Sequence, residues 1–266
     1  MNKLKSIMIA TCVVACISLS SCNKIKDKLE GKTDSPVPTP ITPTLPSDID
    51  GALVCVRVGF TYDISKFSPI KLPIPVPPID ATSEVATALF GNLAASSYKD
   101  AGAVSVNRNT LDKLSNKSYV KSGFNLTSGA GDLGFSSGGN WSVGGSSDVT
   151  AFTYNYSDAF PTYTGKASMP ENVPSTGVSF NISGINNADS IYVCLIGSKT
   201  TVIKHLGKTA SSVSFSASDV TAAGSTGGKT TGFLEVCPFR SKVETINSKK
   251  YVFIKEHAEV KNVIIN

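Results

Sequence analysis

Histidine occurs only twice in the 266 residues, at His205 and His257, and neither has a catalytic or metal-ligating partner at a telling spacing. No G-x-S-x-G nucleophile elbow followed by a helix is present, which excludes the α/β-hydrolase arrangement. Cysteines and histidines at zinc spacing are missing too. DIDG at 48–51 begins like a calcium loop, but Gly59 stands where the twelfth-position glutamate belongs. Gly228, Lys229 and Thr230 look like the end of a phosphate loop. Ala223 occupies the place of its first glycine, however, and a strand-like TGFLEV follows where a helix is required, so a loop or hairpin is expected there. Charge of one sign is also scarce, with 25 basic against 20 acidic side chains, and this small excess implies no nucleic-acid partner. No cofactor is implied, and no apolar run reaches the about 20 residues that a membrane-spanning helix needs.

What the amino terminus does have is a secretion signal. Lys3 and Lys5 precede an almost uncharged stretch from Ile7 to Leu19, which ends in the small residues Ser20 and Ser21. The closing residues Leu19, Ser20, Ser21 and Cys22 resemble the lipobox of bacterial lipoproteins. That resemblance implies removal of residues 1–21, a diacylglycerol on the Cys22 sulfur and an acylated new amino terminus. Each buried CH₂ contributes about 0.8 kcal/mol, so two or more chains make a stable anchor. The mature chain would carry 23 basic and 20 acidic residues, because only Lys3 and Lys5 leave with the signal. Its abundance of Ser, Thr, Gly and Asn is similar to that of Bacteroidota-type lipoproteins, which implies an outer-membrane location. In that group acidic residues directly after the cysteine accompany surface display. Here Asn23, Lys24 and Lys26 follow, and both the periplasmic and the surface face stay open.

Residues 22–50 read as a lipidated cysteine and an irregular spacer. Prolines at 36, 38, 40, 43 and 46 block helix and sheet hydrogen bonding and favour extended polyproline II. The folded body begins near Gly51. ALVCVRVGFTY alternates like a strand, a proline cluster SPIKLPIPVPPID follows, and DATSEVATALFG fits a strand better than a short helix capped by Ser83. AGAVSVN, SYVKSG, NWSVGG and VTAFTYNYS read as short strands; Phe152, Tyr154 and Tyr156 share one side, as do Trp141 and Val143, a pattern that predicts core faces.

Pro161, Pro170 and Pro174 mark a junction, which divides the body into an N-terminal β domain, 51–165, and a C-terminal β domain, 166–266. VSFNIS, SIYVCLIG, TVIKHLG, SVSFSAS, TGFLEVCPF, KKYVFIKE and AEVKNVIIN give seven strand candidates in the second, at the spacing of an immunoglobulin-like or fibronectin-like β-sandwich. The Cys…Trp…Cys spacing of true immunoglobulin domains is missing, so the likeness is one of architecture. The expected fold is all-β. Beyond Cys22, three cysteines remain in the mature chain, Cys55, Cys194 and Cys237. Cys194 and Cys237 fall on separate strands and are open either to a disulfide, worth about 3–4 kcal/mol by loop closure, or to packing as buried thiols. The functional expectation is a non-catalytic, lipid-anchored module that binds an envelope protein or glycan, with a hydrolase built from loops as the alternative.

Overall fold

The computed structural model describes residues 48–62, 79–93, 97–125, 133–224 and 228–266. The signal segment 1–21, Cys22, most of the spacer and most of the second proline cluster lie outside the described residues. The first half of the chain contributes β1 (Gly51–Tyr62), β2 (Ile79–Asn92), β3 (Ser97–Tyr98), β4 (Val104–Val106), β5 (Asn109–Thr110), β6 (Asp112–Lys113), β7 (Tyr119–Asn125), β8 (Gly139–Val143) and β9 (Phe152–Tyr156). The second half contributes β10 (Thr162–Tyr163), β11 (Asn172–Val173), β12 (Gly177–Asn181), β13 (Ile185–Asn186), β14 (Ser190–Ile196), β15 (Thr201–Gly207), β16 (Ser212–Ser216), β17 (Thr230–Ile246) and β18 (Lys249–Ile265). A short helix, α1 (Ala217–Ala223), follows β16 and is closed at its start by a capping box between Ser216 and Asp219.

The architecture is all-β and of the layered, sandwich type. Its main sheet runs in the order β15-β14-β17-β18-β1-β2-β7-β6, with β11 on the flank of β18 and β3 on that of β2. β1 lies parallel to β18, while the other neighbours along this order are antiparallel. Strict alternation sends the side chains of each central strand to two faces, and both faces are buried, so β14 reads SIYVCLI with scarcely a polar position.

One face is covered by two separate layers. The sheet β5-β4-β8-β9 packs Val104, Val106, Trp141, Val143, Phe152 and Tyr156 against Leu53, Cys55, Phe90, Tyr251 and Phe253. The pair β12–β16 with α1 packs Phe180, Val213, Phe215 and Val220 against Ile191, Val193, Leu234, Val236 and Val263. The aromatic faces read from the sequence are therefore core faces.

Two cores on this face change over between Phe160, in the first, and Tyr163, in the second, ahead of the junction expected after residue 165, and a single main sheet runs under both. β18 sends Tyr251 and Phe253 into one core and Val263 and Ile265 into the other. Its sequence, expected as the two strands KKYVFIKE and AEVKNVIIN, is one strand of 17 residues. The charged stretch around His257 contains neither Gly nor Pro, so alternation continues through it. The likeness to an immunoglobulin-like unit thus extends to layered antiparallel strands and not to the strand count, since β18 carries the sheet onward into β1.

β17 turns back into β18 at Asn247 and Ser248, whose φ values of 51° and 61° give the two-residue hairpin that matches strand twist. β17 also contains Pro238, in the interior of the sheet. The ladder with β18 skips from Val236↔Glu259 to Phe239↔Glu256, which spares the residue that has no N–H to give.

Candidate functional site

The outer face of the β5-β4-β8-β9 sheet is the part of the described surface best suited to hold a ligand. Register aligns Ser105, Ser142 and Thr153 in one row across β4, β8 and β9, and Asn140 with Asn155 in the next. Their inward neighbours Val104, Val106, Trp141, Val143, Phe152 and Tyr156 are core residues, so strand alternation forces these five side chains outward. Ser105 is half-buried and the other four are exposed. None of the five side chains makes a hydrogen bond among the described residues. They floor an open groove of ≈ 730 Å³, rimmed by Asn107 and Arg108.

The rim is built with care at one point. Asn107 and Arg108 form the two-residue turn between β4 and β5, with φ of 48° and 69°. The Asn107 amide donates to the carbonyls of Leu133 (3.1 Å), Gly134 (3.0 Å) and Gly138 (2.9 Å), and its oxygen accepts from the Asn140 amide N–H at 2.9 Å. Asn109 adds a bond to the Leu133 carbonyl at 3.2 Å. The turn is thereby tied to β8 and to the segment before it.

A second groove of ≈ 500 Å³ lies over β12 and β16, but its polar groups satisfy one another. Lys204 pairs with Asp219 at 2.7 Å, and this contact, with the Ser216 N–H, holds the Asp219 carboxyl below its ordinary pKa. Ser179 and Ser214 share a hydrogen bond of 2.7 Å.

Between the two cores the main sheet carries a polar seam. Glu84, almost fully buried, pairs with Arg57 at 3.3 Å and accepts from the amides of Leu133 and Phe135. Two rows on, Glu259 accepts from His257 at 3.0 Å and forms an ion pair with Lys166 at 2.9 Å. Burial raises the pKa of this carboxyl, and His257 with Lys166 more than offset it, so the net shift is downward. Gly59, opposite Glu259 on β1, leaves the space: a Cβ there would overlap the carboxylate oxygen. Gly59→Ala is expected to expel Glu259 from this place and to lower stability by about 1–3 kcal/mol, read from a denaturant midpoint. An unchanged midpoint would mean that the seam tolerates the displaced carboxylate.

The residues singled out from the sequence fall as follows. His205 sits on the edge strand β15, stacked on Tyr192 and 2.8 Å from the Ser190 hydroxyl. His257 belongs to the seam, and neither histidine lines either of the two grooves described above. Gly134 to Gly138 has the G-x-S-x-G spacing but is a tight 3₁₀ turn leading into strand β8, not an elbow into a helix. Lys229 follows α1 and precedes β17, the reverse of a phosphate loop. Asp48 pairs with Lys250, and Asp50 with Lys249 at 3.2 Å and the Lys250 N–H at 3.0 Å, so DIDG closes the end of the sheet. No metal-binding cluster occurs among the described residues.

The disulfide entertained between Cys194 and Cys237 is not formed; Cys55, Cys194 and Cys237 are all buried, and none is in a disulfide. Cys194 lies opposite Glu235, and Cys237 opposite Tyr192. They are diagonal neighbours, a relation that sets Cα atoms roughly 7–8 Å apart, beyond the usual reach of a bridge. Burial pushes the Cys55 and Cys237 thiols well above the ordinary value, which makes them inert. No helix among the described residues is long and apolar enough to cross a membrane. The chain matches no protein-family profile, no curated protein and no solved structure.

Proposed function

We propose that the chain is a lipid-anchored, non-catalytic binding module of a bacterial cell envelope, and that it holds an envelope glycan on the outer face of the β5-β4-β8-β9 sheet. The observation that carries this reading is the two-row array of Ser105, Ser142, Thr153, Asn140 and Asn155, whose donors and acceptors are unspent over an open groove. Sugar hydroxyls donate and accept at once, and amides and hydroxyls on a rigid strand scaffold complement them in both senses. The address rests on Leu19, Ser20, Ser21 and Cys22, and the proline-rich stretch after them serves as the spacer.

Each half of the proposal has its own test. Cys22→Ala is expected to abolish metabolic labelling with a palmitate analogue and to leave an uncleaved precursor; continued labelling would sink the anchor. For the binding half, detergent-solubilised mature protein is passed over immobilised envelope polysaccharide. Retention is expected, and the double variant Asn140→Ala/Asn155→Ala is expected to weaken it about tenfold or more, since two lost hydrogen bonds cost roughly 1 kcal/mol each. Equal retention of the variant, or none of the native protein, would overturn the glycan site.

A further inference from the structure

We infer that the glycan held on this face is acidic and that Arg108 takes its carboxylate. The inference rests on the glycan reading above and adds the ligand's charge. The groove is lined by Ser, Thr and Asn side chains, by Trp141 and Tyr154 between them, and by one cation, without a single carboxylate. Arg108 is exposed and has no ion-pair partner among the described residues. The other two arginines of the chain are paired, Arg57 with Glu84 and Arg240 with Asp158. A guanidinium fork left free beside a neutral polar floor matches a carboxylate in two parallel hydrogen bonds, while the floor matches ring hydroxyls.

The backbone supports the same assignment. Arg108 occupies the second turn position at φ 69°, where glycine is the favoured residue and a side chain carries a conformational cost. An arginine stands there nonetheless, and Asn107 holds the turn through its bonds to Leu133, Gly134, Gly138 and Asn140. The guanidinium is therefore presented from a fixed base rather than from a loose loop.

The test compares a panel of uronic-acid oligosaccharides with the methyl esters of the same oligosaccharides, using the detergent-solubilised mature protein and calorimetric titration. The acids are expected to bind at least tenfold tighter than the esters, with a preference that shrinks as salt is raised. Arg108→Gln should bring acid binding down to the level of the ester and so erase the preference, whereas Arg108→Lys should keep part of it. Arg108→Gly relieves the left-handed backbone, so it should raise Tm while erasing the preference, a combination that a purely structural arginine would not give. Equal binding of acid and ester by the native protein, or a preference that survives Arg108→Gln, overturns the inference. In either case the glycan reading stands if ester binding is lost in Asn140→Ala/Asn155→Ala. Failure of both acids and esters to bind defeats the two together.

Discussion

Glu235→Gln combined with Glu256→Gln is expected to flatten a fall in stability that the native protein shows between about pH 5 and pH 8. The two carboxyls come from adjacent strands, β17 and β18, and point to the face of the main sheet that carries Cys194, Cys237, Phe239 and Ala258. Both are almost fully buried, and Glu235 Oε2 has no hydrogen-bond partner. Burial raises the pKa of Glu235 from 4.5 to about 8, and burial together with the Glu235 charge raises that of Glu256 from 4.5 to about 8. Below about pH 4.5 both groups are protonated whether the chain is folded or not, and they cost nothing. As the pH rises, the unfolded chain ionises first, so folding must restore two protons, and stability falls until the folded carboxyls ionise near pH 8. Each unit of that window is worth about 1.4 kcal/mol per carboxyl, a few kcal/mol for each by neutral pH. Cys237, whose thiol is raised by burial and by both glutamates, adds nothing in this range. Urea midpoints at pH 5, 6.5 and 8 decide the matter: the native midpoint should drop and that of the double variant should stay level. Parallel profiles would show that water or a partner reaches the carboxyls.

Much of this fold is written in short-range pattern, and much of the site is not. Period-2 alternation is enough to find β1, β14, β15 and β16, and to send Phe152, Trp141 and Tyr156 inward. It also puts Thr153 and Asn155 on the outer side of β9. What alternation cannot supply is register between distant strands. Ser105 and Asn140 join Thr153 and Asn155 only because β8 pairs with both β4 and β9, and no local signal announces that pairing. The parallel contact of β1 with β18 spans nearly the whole body and is equally silent. Charge misleads around His257, where KEHAEVK reads as the solvated face of a strand. Lys255, His257 and Glu259 face the seam between the cores, and Glu256 faces the other side, so the charges are spent inside the molecule. Cys194 and Cys237 illustrate the same limit, since adjacent strands place them together and a two-residue offset keeps them apart.

Lys255→Met is expected to destabilise the protein by about 2–4 kcal/mol and to loosen the floor of the groove proposed to hold a glycan. Lys255 is fully buried, and its Nζ donates to the carbonyls of Tyr156, at 2.7 Å, and of Asp158. The ammonium also lies 4.5 Å from the centre of the Tyr156 ring and 5.1 Å from that of Phe160. Burial lowers its pKa, opposed by the Cys55 thiol and by Asp158, and removing the charge would recover part of that desolvation cost. Against this stand the loss of the donor to the buried Tyr156 carbonyl, at about 1–3 kcal/mol, and to the part-buried Asp158 carbonyl, and the loss of the ring contacts, so the penalty wins. The effect is also directional. Residues 156–160 leave β9 for the second core, and Lys255 of β18 fastens this exit to the main sheet through hydrogen bonds to its backbone. Methionine fills the same volume, which isolates the hydrogen bonds from the packing. The expected signature is a lower denaturant midpoint, faster hydrogen exchange at the amides of residues 152–160, and weaker saccharide binding through Thr153 and Asn155 on the loosened strand. A loss under about 1 kcal/mol with unchanged exchange would mean that the two carbonyls find water when the ammonium is gone, and that the β9 exit is held by Phe135 and Phe160, stacked at 5.6 Å, instead.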